Sequence, residues 1–263
     1  MVMRDACLWG YLKESPVQSV KAPPGSAGRE KYALDLDQAI KFIKACYEEP
    51  DDLIFALAIS TGMRPKELIG LQQERLKLVT QEVEGRTISR GIVEVRKIAV
   101  KLRHNGEWVL LEPKTPKSVR DIPFPAQLYY DLMDYSDEIK RRKALMGAKW
   151  NRLDLVFPER DGNPINQVKL CKGRLRRVLK RAGLPLHFTP YSLRYSYATL
   201  QLLSGERDKV ISELMGHTDV HFTQRVYQQV LPVMREAASD CMERLLFGDV
   251  RTTLAQSVAE QVM

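Results

Sequence analysis

Two arginines at the beginning of predicted helices are the side chains best suited to bind an anion. Arg64 lies in the segment TGMRPKEL, where Pro65 is typical of the first turn of a helix. Backbone N–H groups and the helix dipole favour an anion there, and Glu67 lies on the same face, placed to orient Arg64. Arg194 lies in TPYSLRYSYAT, on the same helix face as Tyr191, so both can address one ligand. Alone, Arg64 would more often be a surface residue near a helix cap.

Three further side chains complete the set of candidates. Lys114, in EPKTPKSVRDIPF, is predicted at the tip of a second hairpin, where it can fold over a bound phosphate, although such a lysine is usually only solvated. His217 follows a helix that the sequence predicts to end at Gly216, and Tyr227 comes later on a short predicted helix. Taken singly, such a histidine is more often a loop residue and such a tyrosine more often packs in a core.

The order of these segments is far more specific than any one of them. It resembles the tyrosine recombinase (phage integrase) family, whose pattern is TG-x-R-x-x-E-L, a β-hairpin lysine, H-x-L-R-H-x-x-A-T, L-G-H and then a tyrosine. The resemblance covers roughly residues 32–230. It implies an α+β, mainly α-helical fold, the tyrosine recombinase catalytic domain with a small three-stranded antiparallel sheet. A structural protein with a basic surface would need all four segments to coincide by chance.

The resemblance gives the two arginines one shared role. Arg64 and Arg194 match the residues that clamp the non-bridging oxygens of the scissile phosphate, and Glu67 matches a supporting carboxylate. Guanidinium suits this role because it stays charged and offers forked donors to a phosphate. Its positive charge stabilises a pentacoordinate transition state without a metal.

The resemblance also assigns the covalent step. Tyr227 matches the nucleophile, which forms a 3′-phosphotyrosyl bond and releases a 5′-hydroxyl. Lys114 matches the general acid for that hydroxyl, and His217 matches a histidine that donates to the phosphate. The phosphotyrosyl bond conserves the energy of the broken diester, so no cofactor, ATP or metal is expected. Type IB topoisomerases use similar chemistry, but the TG-x-R and LGH segments favour a site-specific recombinase or integrase.

One position departs from the family pattern. Tyr191 stands where the family most often has histidine or else lysine, and Tyr195 replaces the second histidine. An unperturbed phenol has a pKa of about 10, so Tyr191 is a poor general base at neutral pH but can still donate to a phosphate oxygen. We expect a tolerated substitution with slower cleavage. The alternative is a catalytically weak or inactive integrase-derived DNA-binding protein.

Composition favours a polyanionic partner. The chain has 263 residues, with 41 Lys and Arg against 33 Asp and Glu, a net charge of +8. Each phosphate contact by such a protein releases counterions. A predicted amphipathic helix, residues 168–181, concentrates basic side chains on its outer face. It faces either solvent or double-stranded DNA, and the candidate DNA-binding residues are Lys169, Lys172, Arg174, Arg176, Arg177, Lys180 and Arg181.

The elements that must position these side chains alternate in type along the chain. Asp35 and Gln38 form a predicted capping box, and residues 52–59 are apolar enough for a buried helix. Three strands are predicted in IVEVRKIAVKL, EWVLLE and SVRDIP, with Asn105-Gly106 as the first hairpin turn. Helices then return over residues 126–145, 168–181, 190–203 and 207–215.

Three parts of the chain are distinguished. Residues 1–31 are expected to be the end of an upstream core-binding domain and a linker, residues 32–230 the catalytic domain, and residues 231–263 a tail with a helix near 231–246. In the family such a helix docks onto a neighbouring protomer; packing on its own domain is an equal alternative. The resemblance implies double-stranded DNA as partner, with a homotetramer on two DNA sites and a monomer or weak oligomer without DNA.

Other functional classes lack a signal in the sequence. The four cysteines are scattered and form no CxxC pair, so no zinc site is expected. No apolar run reaches the ~18 residues of a membrane span, and the N-terminus has no signal-peptide pattern. The sequence therefore predicts a cytoplasmic protein without a bound metal or a membrane contact.

Overall fold

The computed structural model describes residues 2–16 and 32–216. The chain divides into two compact units, Met1–Lys31 and Tyr32–Met263. The first contains helix α1 (Val2–Leu8), and every other described element belongs to the second.

The second unit is mainly helical, in agreement with the predicted α+β class. Its α-helices are α2 (Leu36–Cys46), α3 (Leu53–Thr61), α4 (Pro65–Leu68), α5 (Ala126–Met146), α6 (Arg176–Arg181), α7 (Pro190–Leu203) and α8 (Asp208–Met215). Helix α3 is the centre of the core: all of its residues except Ser60 are buried. Because α2 and α7 both pack against it, its uniformly apolar sequence has no face left for solvent.

Local capping explains where two of these helices begin. The Gln38 amide donates to Asp35 Oδ1 at 2.8 Å, and the Gln38 side chain accepts from the Asp35 amide, which confirms the predicted capping box of α2. Helix α7 begins in the same way, since the Ser192 amide donates to Thr189 Oγ1 at 3.2 Å and the Thr189 amide donates to Ser192 Oγ. These caps satisfy backbone donors that the first helical turn leaves without partners.

Within residues 2–16 and 32–216, five strands form two antiparallel sheets rather than one. They are β1 (Leu76–Val83), β2 (Arg86–Val95), β3 (Ile98–Lys101), β4 (Trp108–Leu111) and β5 (Arg120–Pro125). A three-stranded sheet has the order β1-β2-β5, in register Leu76 opposite Val93 and Val93 opposite Ile122, and a separate sheet pairs β3 with β4. The predicted small three-stranded antiparallel sheet is therefore confirmed, but its strands differ from those expected.

The predicted second hairpin was wrong. The segment IVEVRKIAVKL is two strands, the end of β2 and then β3, and β4 does not pair with β5. Val93 and Ile122 are fully buried, and pairing β5 with β2 closes the core beneath α3 and α5. Arg96 lies at the break, where its guanidinium donates to the carbonyls of Val95 and Arg120. Lys114 consequently lies in the loop between the two sheets and not at a hairpin tip, whereas Asn105-Gly106 does lie in the β3–β4 loop.

The basic segment, residues 168–181, is not one α-helix. The sequence predicts an amphipathic α-helix over residues 168–181 with Val168 facing inward, but Lys169–Leu175 is a π-helix that leads into α6. In a π-helix each amide bonds five residues back, so Leu170 and Leu175 share a face, and both are buried. Of the residues predicted to face inward, Leu175, Val178 and Leu179 are buried, whereas Cys171 is only partly buried and Val168 is 61% exposed.

The end of the described chain agrees with the sequence analysis. Helix α8 ends at Gly216, whose φ of +63° is the left-handed conformation typical of a helix C-cap. The predicted helices near residues 222–230 and 231–246 lie outside the described residues. Among the helices that are described, none is long and apolar enough to cross a membrane.

Candidate active site

Arg64 lies where one helix ends and the next begins. Helix α3 ends at Gly62, with φ +62°, and α4 starts at Pro65, so Arg64 is in extended conformation at the N-cap of α4. Glu67 accepts twice from Arg64: from Nη1 at 2.8 Å and from the backbone amide at 2.8 Å. The contact expected from the three-residue spacing is present, and the buried Glu67 carboxylate holds a partly exposed guanidinium.

Arg194 reaches the same place from the middle of the core. It lies in α7, is 3% exposed, and donates from Nη1 to the Gly62 carbonyl at 2.5 Å and from Nη2 to the Met215 carbonyl at 2.6 Å. Burial is the main cause that lowers the pKa of Arg194 below its usual range, and the nearby charge of Arg64 lowers it further. A bound anion would offset both effects because it favours the charged guanidinium.

A third guanidinium, Arg120, was not among the residues predicted from sequence. It begins β5 and binds Glu67 with both ends of its fork, Nη1 to Oε1 at 3.1 Å and Nη2 to Oε2 at 2.9 Å. The alternation in β5 carried a signal for it, since Arg120 shares its face with the buried Ile122 and Phe124. A charged residue on the inward face of a strand requires a partner of opposite charge. That requirement alone would have identified Arg120 as a candidate for a buried ion pair.

The three arginines meet at one helix end. Three consecutive backbone carbonyls at the C-terminus of α8 each accept from a different guanidinium: Leu214 from Arg120 at 2.6 Å, Met215 from Arg194 at 2.6 Å and Gly216 from Arg64 at 2.7 Å. The carbonyls in the last turn of a helix lack intrahelical partners and carry the negative end of its dipole. Guanidinium groups satisfy them here.

The cluster has an excess of positive charge. Among the residues that the structure describes, the guanidinium groups of Arg64, Arg120 and Arg194 face one carboxylate, Glu67, so three positive charges and one negative leave a net +2. Burial by itself would raise the pKa of Glu67, but hydrogen bonds and charges from Arg120 and Arg64 outweigh burial and leave that pKa below its usual value. Glu67 is therefore ionised, and the cluster is suited to a phosphate-like anion.

Two other predicted site residues, Tyr191 and Lys114, have exposed side chains. Tyr191 is on the first turn of α7, one turn before Arg194, and is 57% exposed. Lys114 is exposed in the β4–β5 loop, and it makes no hydrogen bond or ion pair with any of residues 2–16 and 32–216. The structure thus joins Arg64, Glu67 and Arg194, whereas Lys114 is not held against them.

The predicted DNA-binding residues fall into two groups. Arg174 lies 3.8 Å from Glu159 in an ion pair, and Arg181 pairs with the buried carboxylate of Asp52. These two side chains stabilise the domain itself. The remaining five are exposed at the surface: Lys169, Lys172, Arg176, Arg177 and Lys180.

The remaining two site predictions cannot be placed. His217 and Tyr227 lie outside the described residues, although the peptide bond from Gly216 leads directly to His217. No group of three His, Cys, Asp or Glu side chains within the described part of the chain could hold a metal ion.

The chain is similar in sequence to known recombinases and integrases. A family model described as the phage integrase family matches residues 32–233. A tyrosine recombinase XerC-like protein of Caldanaerobacter subterraneus subsp. tengcongensis is 28% identical over 90% of this chain and 61% of its own length. An integrase of Streptomyces ambofaciens is 28% identical over 86% of this chain and 57% of its own. The chain therefore spans about three fifths of these relatives.

Solved structures share the fold. The Tn1549 transposon integrase in complex with a circular intermediate DNA superimposes with a TM-score of 0.62 at 20% identity, over 85% of this chain and 70% of that one. The XerA recombinase superimposes with a TM-score of 0.57 at 21% identity, over 82% of this chain and 66% of that one.

Proposed function

This chain belongs to the phage integrase family, and we propose that it is a tyrosine-type site-specific DNA recombinase that cleaves and rejoins DNA strands. The observation that carries the proposal is the meeting of Arg64 and Arg194, distant in sequence, at the end of α8, beside the peptide that leads to His217. Both come from segments that match the family pattern, and together they form a positively charged site of the kind that a phosphodiester requires.

The proposed reaction conserves the number of ester bonds. The phenol of Tyr227 gives its proton to solvent water, and its oxygen bonds to the scissile phosphorus as the bond from phosphorus to the 5′ oxygen breaks, which leaves a 3′-phosphotyrosyl linkage. The departing 5′ oxygen takes a proton from Lys114 and becomes a hydroxyl. Rejoining is the same exchange in reverse, so the mechanism uses neither ATP nor a metal.

The two arginines supply transition-state stabilisation in this mechanism. Negative charge on the phosphoryl oxygens increases as the pentacoordinate state forms, and preorganised guanidinium groups counter it without rearrangement. Arg194 is anchored on two helix ends and Arg64 on Glu67, so neither must be ordered when DNA binds. Two arginines on a free surface would supply the same charge but would have to be ordered first. The anchored pair therefore stabilises the transition state more than two mobile surface charges would.

Tyr191 is the reason that we expect this protein to cleave DNA more slowly than family members with histidine at this position. It is exposed one turn before Arg194, where a phenol can donate a hydrogen bond to a phosphate oxygen. It is a poor acceptor for the proton of Tyr227, because a neutral phenol is a much weaker base than an imidazole. We therefore propose slow cleavage that a histidine at position 191 would accelerate.

Double-stranded DNA is the proposed partner. The exposed basic side chains after Val168 suit phosphate contacts, since each contact releases counterions and makes affinity fall with salt. The substrate implies a cytoplasmic protein.

A homotetramer on two DNA sites is the proposed working assembly. An apolar groove of about 590 Å³ lies between α2, β5 and α7, and Ile40 on its wall is 46% exposed. In the resembled family a C-terminal helix docks onto a neighbouring protomer, and the tail near residues 231–246 has the apolar pattern for it. If this groove receives that helix, Ile40→Glu should reduce protein–protein cross-linking on DNA while the affinity of a single protein for one site stays the same.

Covalent trapping tests the proposed function. The protein is incubated with supercoiled plasmid that carries the DNA flanking its gene, the sample is denatured, and protein-linked or relaxed DNA is measured. Wild type, Tyr227→Phe and Tyr191→His are compared. We expect an adduct with wild type, more with Tyr191→His and none with Tyr227→Phe.

Other outcomes have distinct meanings. Cleavage that persists in Tyr227→Phe would refute the assigned nucleophile. DNA binding without an adduct from any form would favour the integrase-derived DNA-binding protein over the enzyme.

A further inference from the structure

We propose that Arg120 is a positioning residue of this site: it holds Glu67, and through Glu67 the guanidinium of Arg64, and it fixes the end of α8. The inference rests on the proposed function, because strand cleavage is the step that Arg64 is proposed to stabilise. All three nitrogens of the Arg120 guanidinium donate to protein acceptors, namely Glu67 and the carbonyls of Ser118 and Leu214. Its effect on the reaction therefore passes through these neighbours.

The hydrogen bonds of Arg120 are directed inward. Both ends of its fork bind Glu67, Nη1 also donates to the Ser118 carbonyl at 3.0 Å, and Nε donates to the Leu214 carbonyl at 2.6 Å. One planar group thus joins α4, β5 and α8. These are the elements that carry Arg64 and lead to His217, so Arg120 connects two parts of the proposed site that are distant in sequence.

Glu67 is the shared partner that transmits the effect. Its Oε1 accepts from Nη1 of Arg64 and of Arg120, and its Oε2 accepts from the Arg64 amide and from Nη2 of Arg120. Its side chain is only 1% exposed, so water cannot replace a lost donor. Without Arg120, each carboxylate oxygen loses a partner, and the carboxylate can turn toward the remaining charge of Arg64.

A lysine at position 120 cannot take over this role. Its ammonium is a single charged point on a flexible stem, whereas the planar guanidinium of Arg120 contacts both oxygens of Glu67 and the Leu214 carbonyl at once. Arg120→Lys therefore keeps the charge of the cluster and removes the geometry. This separates positioning from simple electrostatic attraction of DNA.

The first test compares cleavage rate with DNA affinity. A DNA duplex nicked beside the scissile phosphate traps the covalent intermediate, and the single-turnover rate is measured at saturating protein. We expect Arg120→Lys to slow cleavage by about 100-fold, the order expected for misplacement of a reacting group by about 1 Å, with little change in DNA affinity.

Arg142→Lys is the matched control. Arg142 also bridges two carboxylates, Asp51 at 2.8 Å and Glu138 at 3.1 Å, but it has no contact with the arginine cluster. The cleavage rates of the two variants are compared under conditions in which both lose the same amount of stability, measured as the midpoint of unfolding. If Arg120 only stabilised the fold, both variants would then lose the same fraction of the cleavage rate. A wild-type rate in Arg120→Lys would overturn the proposal.

A double-mutant comparison tests the route through Glu67. If Arg120 acts through that carboxylate, Arg120→Lys combined with Glu67→Gln should cleave no more slowly than Glu67→Gln alone. If instead the reduction in cleavage rate of the double variant equalled the product of the two single reductions, Arg120 would act by another route. That result would contradict the inference.

A second measurement does not depend on cleavage. The Arg64 amide donates to Glu67 Oε2, so its hydrogen exchange, followed by NMR in the protein without DNA, reports whether Glu67 stays in place. We expect faster exchange at Arg64 in Arg120→Lys and no change in Arg142→Lys. Unchanged exchange would overturn the inference even if wild type formed no DNA adduct, whereas a missing wild-type adduct with accelerated exchange would refute only the proposed function.

Discussion

Gly62 lies directly against the aromatic ring of Tyr197. A Cβ atom at position 62 would come within 2.5 Å of Cδ1 of that ring, and Gly62 also has a φ of +62°. Its carbonyl accepts from Nη1 of the buried Arg194. One glycine thus ends α3, permits close packing of α7, and supplies an anchor for a guanidinium of the proposed active site.

Gly62→Ala should strongly destabilise the protein. Left-handed backbone costs an alanine about 1–2 kcal/mol, and the overlap with Tyr197 adds about 1–3 kcal/mol for an overpacked core. Urea unfolding measures the loss. Gly183→Ala is the control, because Gly183 has a similar φ of +66° but open space around it, so it should show only the backbone cost. Equal losses in the two variants would rule out the predicted contact with the ring.

Glu67 should make stability depend on pH in the acid range. Its folded pKa lies below its ordinary value of 4.5, so its contribution is complete above pH 4.5 and is lost as the pH falls through the lower, folded value. The unfolding free energy of wild type should exceed that of Glu67→Gln most at pH 7, and the difference should shrink below pH 4.5. Glu112→Gln changes a carboxylate that is 82% exposed and should leave the profile as it is. A difference that stays constant from pH 7 to pH 3 would contradict the assignment.

The basic segment should separate into DNA-binding and structural arginines. Arg176 is exposed, so Arg176→Gln should weaken DNA binding and reduce the salt slope by about 1 without affecting stability. Arg181 pairs with the buried Asp52, so Arg181→Gln should cost about 3–5 kcal/mol of unfolding free energy. Fluorescence anisotropy at several salt concentrations and urea unfolding give the two results. If Arg176→Gln leaves the salt slope unchanged, this part of the surface does not contact DNA.

Thr189 should contribute through the start of α7. Its Oγ1 accepts from the Ser192 amide at 3.2 Å, so Thr189→Ala should lower the unfolding free energy by about 1 kcal/mol. Thr189→Ser retains the acceptor and should stay near wild type in the same thermal or urea unfolding experiment. Because α7 carries Arg194, cleavage should slow with Thr189→Ala and recover with Thr189→Ser. Similar losses in both variants would point to the missing methyl group instead of the cap.

Contacts between residues close in sequence could be predicted from the sequence alone. The capping pair Asp35 and Gln38, and the pair Arg64 and Glu67, are each three residues apart, a spacing that places side chains together at the start of any helix. The burial of α3 follows from its apolar composition, and the left-handed Gly216 follows from its place after a helix. The family resemblance likewise depends on residue types in order, which the sequence displays directly.

Only the tertiary structure decided the contacts between distant segments. That β5 pairs with β2, and that Arg120 binds Glu67 and the Leu214 carbonyl, depends on how the sheets and helices close around the core. The π-helical turn before α6 likewise has no distinct sequence period. The physical reason is that the spacing of residues along the sequence determines the conformation and contacts of only the few residues around it. Which carbonyl or carboxylate a distant guanidinium meets is determined by the packing of the whole domain, because most buried donors must find a partner within the same closed core.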